Sequence, residues 1–195
     1  MPAIEIPERF QLTPEQFDRL APANETVRLE LTATGELLVM PPTGFETGGR
    51  NARITAQLAT WADRDGTGRV VDSSTLFALP NGARRSPDAA WISNQRIAAL
   101  TQKQRQGIPP LVPDLVVELA SPSDLAIQRY ADLQTKMQEY IDNGTQLGWL
   151  IEPETQRVEI YRPGQQASIL EAPQTLSGED ILPGFELDLS AIWSR

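Results

Sequence analysis

The run Leu115-Val116-Val117-Glu118-Leu119-Ala120 is strongly apolar apart from one acid in its middle. A stretch of this kind reads as a central strand covered on both faces, so the rest of the chain must supply a sheet and the helices that cover it. Thr13-Pro14-Glu15 opens a short helix through about Leu20, with Thr13 as N-cap and Pro14 in the first turn. Residues 27–31 and 36–40 form a β-hairpin joined by Thr32-Ala33-Thr34-Gly35 and ended by Pro41-Pro42-Thr43-Gly44. Ile54, Leu58 and Trp61 recur at helical spacing, which predicts an amphipathic helix over residues 46–61. Residues 69–72, 75–79 and 88–92 read as strands, and 94–106 as helix and irregular chain. Beyond the central strand, Ser121-Pro122-Ser123-Asp124 caps a helix through about Asn143. Residues 146–151, 157–161 and 168–170 form a C-terminal meander. This order predicts an α/β (α+β) fold with a mixed sheet flanked by helices.

A chain of 195 residues is long enough for one well-packed domain and short for two, so a single domain over 1–195 is expected. It has no Cys and no His, which removes disulfides, thiolate zinc sites, cysteine nucleophiles and imidazole bases. Chemistry is left to carboxylates, Lys, Arg, Ser, Thr and Tyr. Proline and charge interrupt every apolar segment well before the ~18 residues of a membrane span, and no basic-apolar leader precedes the first helix; a cytoplasmic protein with no membrane partner is expected.

Charged residues inside apolar strands are the informative departures from pattern, because an unpaired buried carboxylate costs several kcal/mol. Strand alternation puts Glu118 on one face with Val116 and Ala120. Taken alone it could be the partner of a buried arginine. Asp88, in Ser-Pro-Asp-Ala-Ala-Trp-Ile, could be a turn carboxylate capping its own backbone. Meeting on adjacent strands, the two would repel unless a cation lay between them, and hard divalent ions take carboxylate oxygens. Lys136 lies in a helical row with Arg129, Leu133 and Tyr140, beside the buried stripe; it could equally snorkel at the edge of the core. Glu46 opens the second helix, as a ligand or as a first-turn glutamate favoured by the helix dipole.

These residues sit in a longer pattern: Glu30-Leu31 and Gly35-Glu36-Leu37 through Met40-Pro41-Pro42-Thr43-Gly44 to Glu46; Ser86-Pro87-Asp88-Ala89-Ala90-Trp91; Pro113-Asp114 through Glu118 with Ser121-Pro122-Ser123-Asp124; and Lys136-Met137 through Tyr140 to Gly148-Trp149-Leu150-Ile151. Over residues 25–163 it resembles the Uma-two family of putative restriction-endonuclease-like proteins, placed in the PD-(D/E)xK nuclease superfamily. The resemblance implies a restriction-endonuclease-like mixed sheet flanked by helices. Asp88 matches the motif aspartate, Glu118 the (D/E) position and Glu46 an early helix acid. The lysine usual two residues after the acid is replaced here by Ala120, and Lys136 on the following helix is the matching residue.

On this reading Asp88, Glu118 and Glu46 hold Mg²⁺ or Mn²⁺, with Glu46 serving a second ion or the water shell. The ion polarises a phosphodiester oxygen and lowers the pKa of a bound water, while Lys136 orients that water or stabilises the phosphorane. The expected function is a metal-dependent endonuclease acting on DNA. Net charge is −9, yet residues 44–110 carry nine Lys and Arg against five acids, and this block, with Arg50 and Arg53 near Glu46, could hold phosphates. It could equally be a solvated face; Arg84-Arg85, after Asn81-Gly82, is expected to be exposed turn charge. The alternative is a catalytically inactive nuclease-fold binding or regulatory module that assembles through its C-terminal segment, where Leu182-Pro183-Gly184-Phe185 and Ile192-Trp193 dock on a neighbour or cover the chain's own edge. A homodimer is expected.

Overall fold

The computed structural model describes residues 10–125 and 127–194. In chain order these form α1 (Pro14–Leu20), β1 (Arg28–Leu31), β2 (Leu37–Met40), α2 (Phe45–Asp65), β3 (Gly68–Asp72), β4 (Phe77–Ala78), β5 (Arg84–Arg85), β6 (Ala89–Ser93), α3 (Asn94–Ala98) and α4 (Gln102–Arg105). They continue with β7 (Leu115–Leu119), α5 (Ile127–Asp142), β8 (Leu147–Glu152), β9 (Arg157–Tyr161), β10 (Ser168–Glu171), β11 (Thr175–Ser177), β12 (Glu186–Asp188) and α6 (Ser190–Trp193).

Six strands make the main sheet in the order β10-β9-β8-β7-β6-β3. Only β7 and β8 run parallel within it, joined by the α5 crossover, so the sheet is mixed. The apolar run 115–120 is its buried centre: all five residues of β7 are buried. Val117 and Leu119 face α2, where Ile54, Leu58 and Ala62 complete a core with Trp91, Trp149 and Ile151. Val116 and Ala120 face α5, against Met137, Tyr140 and Leu150. Gly148 lets α5 settle on β8, because a Cβ there would stand 2.6 Å from Met137 Cε.

A second sheet, β2-β1-β5-β4, packs Leu29 and Leu31 on Phe17 of α1. The α1 helix begins as the sequence indicates, with Thr13 and Gln16 forming a capping box. Three local expectations are corrected. The strand expected over 75–79 shrinks to Phe77–Ala78, because its partner β5 offers only two residues. The helix after β7 starts at Ile127 behind a 3-10 turn, Pro122–Leu125, whose Asp124 bonds back to the Ser121 amide at 2.9 Å. Arg84 and Arg85 are buried rather than exposed turn charge, each neutralised by acids of other elements.

The C-terminal segment docks on its own chain. Leu176, Leu182, Phe185, Leu187, Leu189 and Ile192 are buried in the core on the α2 face of the main sheet, and Phe185 stacks on Trp149 at 6.2 Å between centroids. The apolar surface that the assembly alternative would offer to a neighbour is therefore already covered. Among the described residues no helix is long and apolar enough to cross a membrane.

Candidate active site

Between β2, the turn after β7 and the N-terminal half of α5 lies a cleft of about 800 Å³. Sheet register brings the first two acids to its floor. Ala89 of β6 is opposite Val117 of β7, so Asp88, one residue earlier, stands across from Glu118 and on the same face. The Asp88 carboxylate is held at both oxygens: the Leu119 amide donates to Oδ2 at 2.9 Å and Asn51 Nδ2 donates to Oδ1 at 3.0 Å. Asp88 thus caps the neighbouring strand rather than its own turn.

The third group comes from α5. Lys136, Met137, Tyr140 and Ile141 are its buried residues, and the i, i+4 pair Lys136 and Tyr140 converges on one atom. Lys136 Nζ lies 2.7 Å from Glu118 Oε1, and the Tyr140 hydroxyl donates to the same oxygen at 3.3 Å.

A third acid, Glu30, completes the network and is not among the site residues expected from the sequence. The register of β1 on β5 pairs Leu31 with Arg84 and so sets Glu30 beside Arg85. Only 2% exposed, Glu30 bridges Lys136 Nζ at 3.0 Å and Arg85 Nη1 at 3.2 Å, and accepts the Ser86 amide at 3.2 Å. Arg85 also pairs with Glu139 of α5 at 2.5 Å.

These surroundings set the charges. Burial works to raise the Glu30 carboxyl, but Lys136 and Arg85 overcome it and hold the group below the usual range. Burial likewise works to deprotonate Lys136, and Glu118 with Glu30 reverses it, so the ammonium is held firmly. Glu118 goes the other way: burial, with repulsion from Asp88 and Glu30, outweighs the pull of Lys136 and pushes its carboxyl up to about 7. Asp88 is also raised, by burial above all. Two carboxylates that would take more positive charge than the protein gives them therefore share the floor of one cleft.

Glu46 does not join them. It is exposed on the first turn of α2 and is not among the residues lining the cleft. The inward stripe of α2 runs through Thr47, Arg50, Ile54 and Leu58, and Glu46 lies about 100° round the helix from Thr47. Five residues later α2 does reach the site, through Asn51. Its Oδ1 is buried with no hydrogen-bond partner, so its place is explained by the donation to Asp88 rather than by a satisfied amide.

The basic block of residues 44–110 does not make a continuous face. Arg84 pairs with Asp18, Arg85 with Glu30 and Glu139, and Arg96 with Asp114 at 2.8 Å; Arg50 is buried, 4.0 Å from Glu154.

The donor set fits a hard divalent ion. Asp88 and Glu118 offer carboxylate oxygens on one face, both short of positive charge, and the cleft is open for waters and substrate oxygens to complete the coordination that Mg²⁺ prefers. Among the described residues no three acid, His or Cys side chains form an enclosing cage. The fit is therefore to a site of two protein carboxylates, without Glu46.

No curated protein matches this chain. Among solved structures, the fold is similar to the crystal structure of a putative nuclease belonging to DUF820 from Anabaena variabilis ATCC 29413, with a TM-score of 0.77 and 18% identity over 93% of this chain and 97% of that one. The sequence pattern of the Uma2 family, described as "Putative restriction endonuclease", matches residues 14–190, nearly the whole chain, and the protein belongs to that family.

Proposed function

We propose that the cleft hydrolyses phosphodiester bonds of DNA with Mg²⁺ or Mn²⁺ held by Asp88 and Glu118. The observation that carries this reading is the convergence of two under-neutralised carboxylates and one firmly protonated amine on the floor of an open cleft. A divalent ion bound there supplies a Lewis acid for a phosphoryl oxygen and lowers the pKa of a water. The chain's own groups do the rest. Leu119 and Asn51 fix the direction of the Asp88 carboxylate. Lys136, anchored from behind by Glu30, presents its ammonium to a non-bridging oxygen as negative charge grows in the transition state. Water adds to phosphorus and gives up a proton to solvent, the ester P–O bond breaks, and the leaving alkoxide takes a proton from solvent.

A second reading, a nuclease fold kept for binding or regulation, is favoured by the closed Glu118–Lys136 contact at 2.7 Å, which gives one acid a cationic partner without an ion. Nicking of supercoiled plasmid DNA separates the two. The active reading expects cutting that needs Mg²⁺ or Mn²⁺ and falls at least 100-fold in Glu118→Gln and in Lys136→Ala; equal cutting by all three proteins removes its support.

Ion binding itself is read by thermal unfolding. At about 100 times its Kd the ion adds ~2.7 kcal/mol, which for a chain of this size raises the midpoint by about 5–10 °C. Glu118 must lose its proton to act as a ligand, so below its value of about 7 each pH unit weakens binding about tenfold. The stabilisation by Mn²⁺ is therefore expected to be about twice as large at pH 8 as at pH 6. A shift of the same size at both pH values would take Glu118 out of the ligand set.

Asn51→Leu keeps the side-chain volume and removes the donor to Asp88. We expect Mn²⁺ affinity to fall roughly tenfold by calorimetric titration, as for other groups that orient a ligand. An unchanged affinity would leave Asn51 with no part in positioning Asp88.

A further inference from the structure

We propose that the nucleic acid admitted to the floor of the cleft is a single strand, gripped at the entrance by Phe45 and Ile127. The inference rests on the phosphodiesterase reading and names the substrate class of the same site.

The groups that would act on phosphorus lie deep. Glu118 is 4% exposed and Lys136 8%, and both line a cleft of about 800 Å³. That volume is in the range that encloses a drug-sized ligand, which corresponds to a few nucleotides. A duplex is stiff, with a persistence length of ~150 base pairs, and its second strand and groove walls travel with every phosphate. A single strand can turn one phosphate inward and leave its bases at the mouth.

Charge favours the same substrate. Among the described residues the cleft is lined by six acids and four cations, and the whole chain carries −9. Duplex DNA presents one negative charge per ~1.7 Å of axis and a single strand about half that density. Three of the central arginines are drawn into internal ion pairs and are not free to hold a second strand's phosphates.

The entrance supplies what unpaired bases need. Phe45 is 93% exposed and Ile127 92%, while every other large apolar side chain described is half-exposed or less. Each is the first residue of a long helix, α2 and α5. Each also follows a segment that lines the cleft: Pro41 to Gly44 before Phe45, and Ser121, Pro122 and Asp124 before Ile127. Phe45 offers a solvated ring face on which a free base stacks, and Ile127 an apolar contact; bases inside a duplex are already stacked on one another.

The test uses the whole protein and a fluorescein-labelled DNA of about 30 nucleotides, alone or annealed to its complement. Binding is read by anisotropy in Ca²⁺ and cutting on gels in Mn²⁺. The expected result is at least tenfold preference for the single strand in both assays. Phe45→Ala and Ile127→Ala are each expected to weaken single-strand binding threefold to tenfold with unchanged thermal midpoint and unchanged Mn²⁺ affinity; both positions are exposed, so the fold is not at stake. Equal or better use of the duplex overturns the proposal, as do variants that bind like the parent. If the parent binds the single strand preferentially but cuts nothing, the hydrolytic reading fails and the strand preference stands. If neither form of DNA is bound, both fall.

Discussion

Glu30→Gln is expected to lower the thermal midpoint by about 10 °C at pH 7, with little change in side-chain volume. The glutamate is the shared counter-ion of two buried cations, 3.0 Å from Lys136 and 3.2 Å from Arg85. Removing one charge from a buried network while leaving its partners in place costs about 3–5 kcal/mol, and for a chain of this length each kcal/mol is worth about 2–4 °C. The pH dependence follows from the direction of the shift. Glu30 is depressed in the folded state, so its contribution is complete above the unfolded-state value near 4.5 and is lost as pH falls through the lower folded one. The gap between parent and variant should therefore close in acid. A variant that melts within about 2 °C of the parent at pH 7 would show that the bridge does not hold the fold together.

Glu118→Gln should do the opposite to stability while removing activity. A carboxyl raised to about 7 in the folded chain takes up protons that the unfolded chain, titrating near 4.5, has already lost. Stability is therefore full below about pH 4.5 as far as this group is concerned, and falls between there and pH 7, by about 3 kcal/mol for a shift of that size. The amide carries no such penalty, and Lys136 keeps Glu30 as its ion partner. In the absence of divalent ions the variant should melt several degrees above the parent at pH 8, lose that advantage at pH 5, and gain nothing from Mn²⁺ at either pH. A variant less stable than the parent at pH 8 would mean that the Glu118–Lys136 pair is net stabilising and that the acid is not held under strain of charge.

The parts of the site that could be read from sequence are those where local periodicity reveals burial. Glu118 interrupts a strand covered on both faces, and Lys136 lies on the helical row of Tyr140; both end at one oxygen. The mixed sheet and its meander were legible for the same reason, since most residues of β7, β8 and β9 are apolar. Glu30 was not legible. It alternates with Leu29 and Leu31 in a hairpin, and that pattern describes a half-exposed strand just as well. The second face is covered only because β5 and α5 close over it, which is a long-range fact. Arg84 and Arg85 follow a turn signal and become buried for the same cause. At Glu46 helix phase decided the outcome: the residue lies on the first turn, but the stripe facing the sheet begins at Thr47 and reaches Asp88 through Asn51.

Lys136 stands on a crossover helix rather than on the strand that carries Glu118. A lysine two residues along the same strand would meet its acid whenever that strand paired. Here the amine reaches the acid only after α5 has docked, with Met137 seated over Gly148 and Glu30 brought in from the N-terminal hairpin. A nascent or partly melted chain would contain every reacting group and still be inert. On the hydrolytic reading, that would confine strand breakage to fully folded copies of the protein.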